Sequence, residues 1–256
     1  MNKFLEYVPG DSLLHTMNPI AKLGVAVMFA IACFSTSNLP FLLCMLVLAL
    51  AMAASCGMTR QTFGLMKAVL AFSLILAVIL ILTTPKGTPL VELPWGFIGT
   101  GSLMAALVTI VRLEAAAIPL FLTFYVTKIS DLSNAVVKVL GVPYKYAFTF
   151  TSTVHFIPVF MNDMSGIMEA QTARGIEFDK GGLLHKVRLM IPLCVPLLVS
   201  SVRKTNSAAI AAEVRGFNLR TRQSGFKEYP FSPVDIAALV LAVVLLVAAI
   251  ALNILF

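Results

Sequence analysis

The chain has 256 residues, of which 59% are hydrophobic and only 12% are charged, and its mean hydropathy is +0.94. Soluble globular domains average about a quarter charged residues, so this composition excludes an ordinary soluble protein and indicates an integral membrane protein. A net charge of +7 would suit a nucleic-acid partner, but in a membrane protein the basic residues must first be assigned to loops.

The first predicted elements are two membrane spans. Residues Leu23 to Thr59 include no charged residue, and a single helix of that length would run about 55 Å against a hydrocarbon core of roughly 30 Å. The polar stretch STSNLP, from Ser35 to Pro40, therefore divides this region. Three further uncharged runs complete five predicted spans, at about 20–37, 39–57, 65–84, 99–126 and 233–255.

The fourth predicted span includes two charged residues, Arg112 and Glu114. Charges inside a membrane are costly and are candidates for a functional polar role. A separation of two residues places them about 200° apart on a helix, so they are not expected to pair with each other. We expect one to bond a carbonyl or an opposite charge in the bundle and the other to reach water. A direct role in transport or gating is the alternative.

A segment of about 100 residues separates the fourth and fifth spans. Its apolar stretches, at 146–162 and 189–202, are short for a membrane crossing and predict two long helices partly sunk into the cytoplasmic base of the bundle. The predicted fold is therefore all-α. It comprises a four-span bundle over 1–126, this segment over 127–231, and a final transmembrane helix over 232–256.

The basic residues fix the predicted orientation. With the N-terminus inside, seventeen Lys and Arg residues lie on the cytoplasmic side, and only Lys86 lies outside. The sequence thus predicts a multi-pass protein of the cell membrane whose N-terminus and 127–231 segment are cytoplasmic. This distribution accounts for the positive charge without a nucleic-acid partner.

A short motif occurs twice in the 127–231 segment. Residues 170–176 read AQTARGI and residues 211–217 read AAEVRGF, so that A-x-x-[A/V]-R-G-[I/F] recurs after 41 positions. Arginine followed by glycine is typical of a helix end, which would be a sufficient role for Arg174 and Arg215. The recurrent small-residue frame instead favours a helix end lying flush against a partner protein, with the guanidinium as the long donor.

The sequence shows no nucleotide-binding or metal-binding pattern. No G-x-x-x-x-G-K-[S/T] sequence occurs, and the pair Gly181-Gly182 suits a turn between the two long helices better than a phosphate loop. The four cysteines and three histidines have no metal-ligand spacing, so no metal or cofactor bound by this chain is predicted. A membrane enzyme would need clustered carboxylates, and a stand-alone secondary transporter or channel would be expected to show inverted repeats of spans.

Several segments, in order, make the sequence resemble the transmembrane T component of energy-coupling factor (ECF) transporters, a family that includes the cobalt-uptake membrane subunit. They are DSLLHTMNPIAKL before the first span, DLSNAVVKVLGVP after the fourth, FIPVF and EAQTARGIEF, and AAEVRGFNLR. The resemblance covers nearly the whole chain. Valine at position 214, where alanine is commoner, is a mild departure.

The resemblance implies a non-catalytic scaffold subunit of an ABC-type importer. Two coupling helices would dock into two ABC ATPase subunits through an x-Arg-x signature, here Ala173-Arg174-Gly175 and Val214-Arg215-Gly216. Apolar parts of the same helices would contact a membrane-embedded S component that captures a vitamin or metal ion. ATP and Mg would be used by the partner ATPases, and the remaining partner is membrane lipid.

Overall fold

The structure is a computed structural model, and it describes residues 10, 12–84, 88–93, 96–176, 178, 182–221, 224–225 and 227–255. Nearly all of these belong to helices, which confirms the predicted helical membrane fold. In chain order the elements are α1 (Leu13–Thr16), α2 (Pro19–Ser35), α3 (Leu39–Ser55), α4 (Thr59–Thr83), β1 (Pro89–Leu93), β2 (Gly96–Gly99), α5 (Thr100–Val126), α6 (Ile129–Leu140), α7 (Tyr144–Ala173), α8 (Leu183–Val214), a 3₁₀ turn (Phe217–Leu219) and α9 (Pro233–Leu255).

Two compact units divide the chain. One comprises residues 1–135 together with 229–256, and the other comprises 136–228. The first unit includes all the strongly apolar helices. Of these, α4, α5 and α9 are long and apolar enough to cross a membrane, while α2 and α3 are apolar helices of 17 residues each. That length is at the lower limit for a transmembrane helix.

Polar residues set the helix boundaries where the sequence predicts them. Asn18 accepts a hydrogen bond from the Ile20 backbone N–H at 2.9 Å, and Pro19 occupies the first helical position of α2. Between α2 and α3, the Thr36 hydroxyl oxygen accepts a bond from the Asn38 N–H at 3.3 Å. The chain therefore breaks within STSNLP, as predicted.

The N-terminus of α9 is tied to that of α2 by a buried carboxylate. Asp235 is 0% exposed and accepts bonds from the N–H groups of Ser232, at 2.7 Å, and Asn18, at 3.0 Å. The Asn18 side chain also donates to the Tyr229 carbonyl at 2.8 Å. Two otherwise unsatisfied N-terminal donors are thus paired by one side chain, which lies where the helix dipole favours a negative charge.

The core of this unit forms around α5, which contacts α2, α3 and α4, while α2 also packs against α9. Small residues at the contacts let the helix backbones approach closely, and larger apolar side chains fill the space between them. The fully buried positions include Ala32, Ala49, Ala115 and Ala249 among the small residues and Phe29, Leu42, Ile118 and Leu122 among the large ones. Many apolar side chains of α4 and α9 point outward, as expected for helices that face lipid.

A short antiparallel hairpin is the one departure from a purely helical chain within the described residues. Strands β1 and β2 pair between α4 and α5, with Leu93 opposite Gly96 and Glu92 opposite Phe97. The sequence predicts a turn without packed structure here, on the basis of its prolines and glycines. That prediction is wrong, because the runs on either side of Pro94 and Trp95 are long enough to form a backbone ladder.

Candidate functional site

The two motif arginines occupy equivalent positions at the ends of the two longest helices. Arg174 follows the last residue of α7, Ala173, and Arg215 follows the last residue of α8, Val214. Each arginine retains near-helical backbone angles, with φ −85° and ψ 5° at Arg174 and φ −82° and ψ 9° at Arg215. Both copies of the motif therefore end a helix, as the sequence predicts.

The glycine of each motif reverses the chain. Gly175 has φ +91° and Gly216 has φ +72°, in the left-handed region that side chains disfavour. Around Gly175 a Cβ would meet no other atom within 4 Å, so the backbone conformation, and not space, requires glycine there.

Backbone groups satisfy the carbonyls at these helix ends. In the first copy, the N–H of Gly175 donates to Thr172 O at 2.9 Å and the N–H of Ile176 donates to Gln171 O at 3.1 Å. In the second copy, the N–H of Gly216 donates to Glu213 O at 2.9 Å. This pattern caps a helix without help from a side chain. The arginine side chains are accordingly not needed as caps.

Both guanidinium groups are presented to the outside. Arg174 and Arg215 are exposed, and neither side chain makes a hydrogen bond or ion pair within the described part of the chain. Their neighbours Ala173 and Gly175 are small and exposed, and Val214 is 83% exposed. At each helix end, the guanidinium group with its five N–H donors therefore projects beyond its shorter neighbours. This arrangement suits binding in a groove lined by carboxylates or carbonyls.

An ion pair joins α7 to α8. The Lys204 ammonium donates to both carboxylate oxygens of Asp163, at 2.7 and 2.6 Å, and the Ser200 hydroxyl donates to one of them at 2.9 Å. The hydrogen bonds from Lys204 and then Ser200 lower the pKa of Asp163. Because this pKa is lowered, the ion pair contributes its full stabilisation when the pH lies above the ordinary pKa of an aspartate. The stabilisation is lost as the pH falls through the lowered pKa of Asp163.

The ion pair has a regular relation to the repeat. Asp163 and Lys204 are 41 positions apart, the same separation as Arg174 and Arg215, so each arginine follows its member of the pair by eleven residues. Eleven residues of helix extend about 16 Å. The contact therefore joins corresponding positions of the two copies. The two helix arms beyond the pair are therefore equal in length and end in the same side chain.

This ion pair does not follow from the local sequence pattern. Asp163 and Lys204 carry opposite charges at equivalent positions, and only an alignment of the two helices on the arginine motifs brings them together. The 41-residue period, extended toward the N-terminus of each helix, was the available signal.

The two charged residues of α5 lie in the other unit, which comprises residues 1–135 and 229–256. Arg112 donates from Nη2 to the Thr36 carbonyl at 2.7 Å and to the Ser37 hydroxyl at 3.3 Å. A carbonyl bond of this kind was predicted for one of the pair. The bond from Arg112 pairs the Thr36 carbonyl at the break between α2 and α3, where a helix end leaves carbonyl groups without helical partners.

Glu114 does not reach water, and the prediction that the second charge would do so is wrong. Its side chain is 4% exposed, and neither carboxylate oxygen has a hydrogen-bond partner among the described residues. The reason is its position on α5, because the adjacent Ala115 and Ala116 are core residues and the helix turns this face inward. The structure thus separates Arg112 from Glu114 in environment, with one at the bundle's turn and the other in its interior.

Comparison with known proteins identifies the class. A family model described as "Cobalt transport protein" matches residues 10–225. Similar proteins include the energy-coupling factor transporter transmembrane protein EcfT of Clostridium kluyveri, 29% identical over 251 residues, which cover 94% of this chain and 92% of that one. The protein of the same name from Lactococcus lactis is 31% identical over 220 residues, 82% of each chain. The one from Streptococcus equi is 28% identical over 249 residues, 93% and 92% of the two chains.

The helical membrane fold and these matches define a transmembrane component of a transporter. More narrowly, the chain belongs to the cobalt transport protein family, as a T component of an energy-coupling factor transporter.

The ion pair leads to a test of helix geometry. Asp163→Asn and Lys204→Met are each expected to loosen the contact between α7 and α8, because each leaves one charged or polar group of the cluster without its partner. The exchange Asp163→Lys with Lys204→Asp is expected to restore it. Spin labels at positions 173 and 214, with the native cysteines replaced, report the distance between the helix ends.

The expected result is a broader distance distribution in each single variant and a narrow one in the exchanged pair. Glu169→Gln, an exposed carboxylate of α7, serves as the control and is expected to leave the distribution unchanged. An unchanged width in both single variants would show that the ion pair does not set the geometry of the arms.

Proposed function

We propose that this chain is the non-catalytic scaffold and coupling subunit of an ECF-type ABC importer. In this proposal it transmits ATP hydrolysis by two partner ATPases to a membrane-embedded S component that takes up a vitamin or metal ion. ATP and Mg are handled by the ATPases, and the chain itself binds no cofactor. The observation that supports this most directly is the pair of exposed arginines at equivalent ends of two joined helices.

The arginine pair is suited to a two-fold partner. ABC ATPases act as pairs, and a pair offers two similar grooves related by rotation. The arms of α7 and α8 are equal in length from the Asp163–Lys204 contact and end in the same exposed side chain. Each of Arg174 and Arg215 would enter one groove and form charge-assisted hydrogen bonds there.

The same two helices offer apolar side chains to a second kind of partner. On α8 a stripe is formed by side chains that are each more than half exposed and recur at intervals of four, three and four residues: Ile191, Val195, Leu198 and Val202. This spacing places them on one helix face. Exposed apolar faces of this kind mark sites for a protein partner or lipid, and a hydrophobic S component matches this face.

The proposed membrane arrangement has five spans, α2, α3, α4, α5 and α9, in the cell membrane. The N-terminus and α7 and α8 lie on the cytoplasmic side, where ATP is available. Support comes from the basic residues, seventeen of which then lie inside and one outside. The 17-residue α2 and α3 are short but sufficient to cross the hydrocarbon core.

Arginine removal tests the coupling function. Arg174→Ala and Arg215→Ala are each expected to weaken binding of one ATPase by about 2–5 kcal/mol, because truncation leaves the partner's acceptors buried and unpaired. That loss corresponds to roughly thirtyfold to several thousandfold in affinity. The double variant should reach the membrane in normal amount, fail to co-purify ATPase and fail to support uptake. Co-purification and uptake assays measure these effects.

Arg203→Ala is the matched control, since Arg203 is also an exposed arginine of α8 but lies outside both motifs. It should retain ATPase binding. A double variant that retains wild-type complex yield would refute the docking role. Substrate transport by the purified chain alone would favour a stand-alone transporter or channel.

Cysteine labelling tests the orientation. In a chain without its native cysteines, Ser207→Cys on α8 is expected to react with a membrane-impermeant maleimide only after the cells are permeabilised, because the 136–228 unit is inside. Thr88→Cys, before β1, is the control and should react in intact cells. Equal reaction of Ser207→Cys in intact cells would reverse the proposed topology.

A further inference from the structure

An aromatic cluster lies beside the second arginine motif. The ring of Phe217 is 4.9 Å from that of Phe148 in an edge-on arrangement and 5.5 Å from that of Tyr144. The guanidinium of Arg220 lies 4.4 Å from the centroid of the Tyr144 ring and also donates to the Tyr144 hydroxyl. These four residues, Tyr144, Phe148, Phe217 and Arg220, are called the aromatic clamp below.

The clamp joins the end of α8 to the beginning of α7. Tyr144 and Phe148 are one helical turn apart in the first two turns of α7, and their ring centroids are 5.9 Å apart. Phe217 reaches them because Gly216, at φ +72°, reverses the chain directly after Arg215. The 3₁₀ turn then closes with a bond from the Leu219 N–H to the Gly216 carbonyl at 3.0 Å.

We propose that Phe217 is a positioning residue that fixes Arg215 for its ATPase partner. This inference rests on the function proposed above. Only Gly216 separates Phe217 from Arg215, so a ring in contact with two rings of α7 restrains the backbone at the arginine. Unrestrained helix ends fray, and a frayed end must be ordered when a partner binds. The aromatic clamp orders the end of α8 before the ATPase binds and so reduces the entropic cost of docking.

Arg220, within the clamp, and Arg215, beside it, have different roles. Arg220 is engaged, because its guanidinium stacks on the Tyr144 ring and donates to the Tyr144 hydroxyl. Arg215 is exposed and has no partner within the described residues. The clamp therefore uses one arginine to hold the helix end and leaves the other available for the ATPase.

Among the described residues, this aromatic restraint occurs at the second motif. The position equivalent to Phe217 in the first copy is Ile176, which has no aromatic ring. The two ATPase contacts therefore differ in preorganisation, although the arginine and glycine are the same in both.

Affinity and mobility measured on the full chain in detergent test this role. The binding probe is the pair of ATPase chains separated from the purified wild-type complex. Phe217→Ala is expected to weaken their binding about tenfold, and Phe217→Leu, which keeps an apolar side chain, should weaken it less. Arg215→Ala should weaken it about thirtyfold or more. Phe150→Ala, an exposed phenylalanine of α7, is the control and should bind normally.

A nitroxide at position 214, in a background without native cysteines, measures the helix end in the absence of any partner. Phe217→Ala and Arg220→Ala are expected to make the label more mobile, whereas Phe150→Ala should not. Tyr144→Phe keeps all the rings and loses only the hydroxyl, so it should mobilise the label least and separates loss of the clamp from general misfolding.

The outcomes separate this inference from the function on which it rests. Weaker binding together with a mobile label in Phe217→Ala supports the positioning role. If Arg215→Ala weakens binding while Phe217→Ala changes neither affinity nor label mobility, the positioning role is wrong and the coupling function stands. If Arg215→Ala binds ATPase normally, both the coupling function and the positioning role are wrong.

Discussion

The ion pair of Asp163 and Lys204 joins the two helices on which the proposed coupling depends. The Asp163 carboxylate accepts hydrogen bonds from two side chains one helical turn apart on α8, the Lys204 ammonium and the Ser200 hydroxyl. Because the two charged residues are equivalents in a 41-residue repeat, this contact joins corresponding positions of the two copies. Neither helix includes a proline between the ion pair and the arginine at its end. Regular helix therefore sets the distance from the ion pair to each arginine.

The membrane unit achieves its packing by different means. Water is absent from the bilayer core, so close approach of alanine-rich surfaces and satisfied polar groups must hold the helices together. Asp235 pairs donors at the beginnings of α2 and α9, and Arg112 pairs a carbonyl at the end of α2. Three groups depart from this rule, because Arg112 Nε, both Glu114 carboxylate oxygens and the Thr127 hydroxyl are buried without a hydrogen-bond partner among the described residues.

Local features were predictable because the responsible residues are adjacent in sequence. Asn18 and Pro19 begin α2, the STSNLP stretch breaks the chain, and glycine ends each motif helix, all through interactions within a few residues. The Asp163–Lys204 pair and the ring contacts of Phe217 required knowledge of which helix faces meet. The inward position of Glu114 depends on the packing of α5, and the β1–β2 pairing depends on two separate runs forming hydrogen bonds with each other, so neither follows from the local pattern.

Photo-crosslinking tests whether the two helix ends contact two separate ATPase chains, with benzophenone groups placed at Ala173 and at Val214, beside the two arginines, in the assembled complex. Each position is expected to capture one ATPase chain, and a chain carrying both groups is expected to capture two at once. Crosslinks from both positions to a single ATPase chain, or to none, would contradict the proposed coupling.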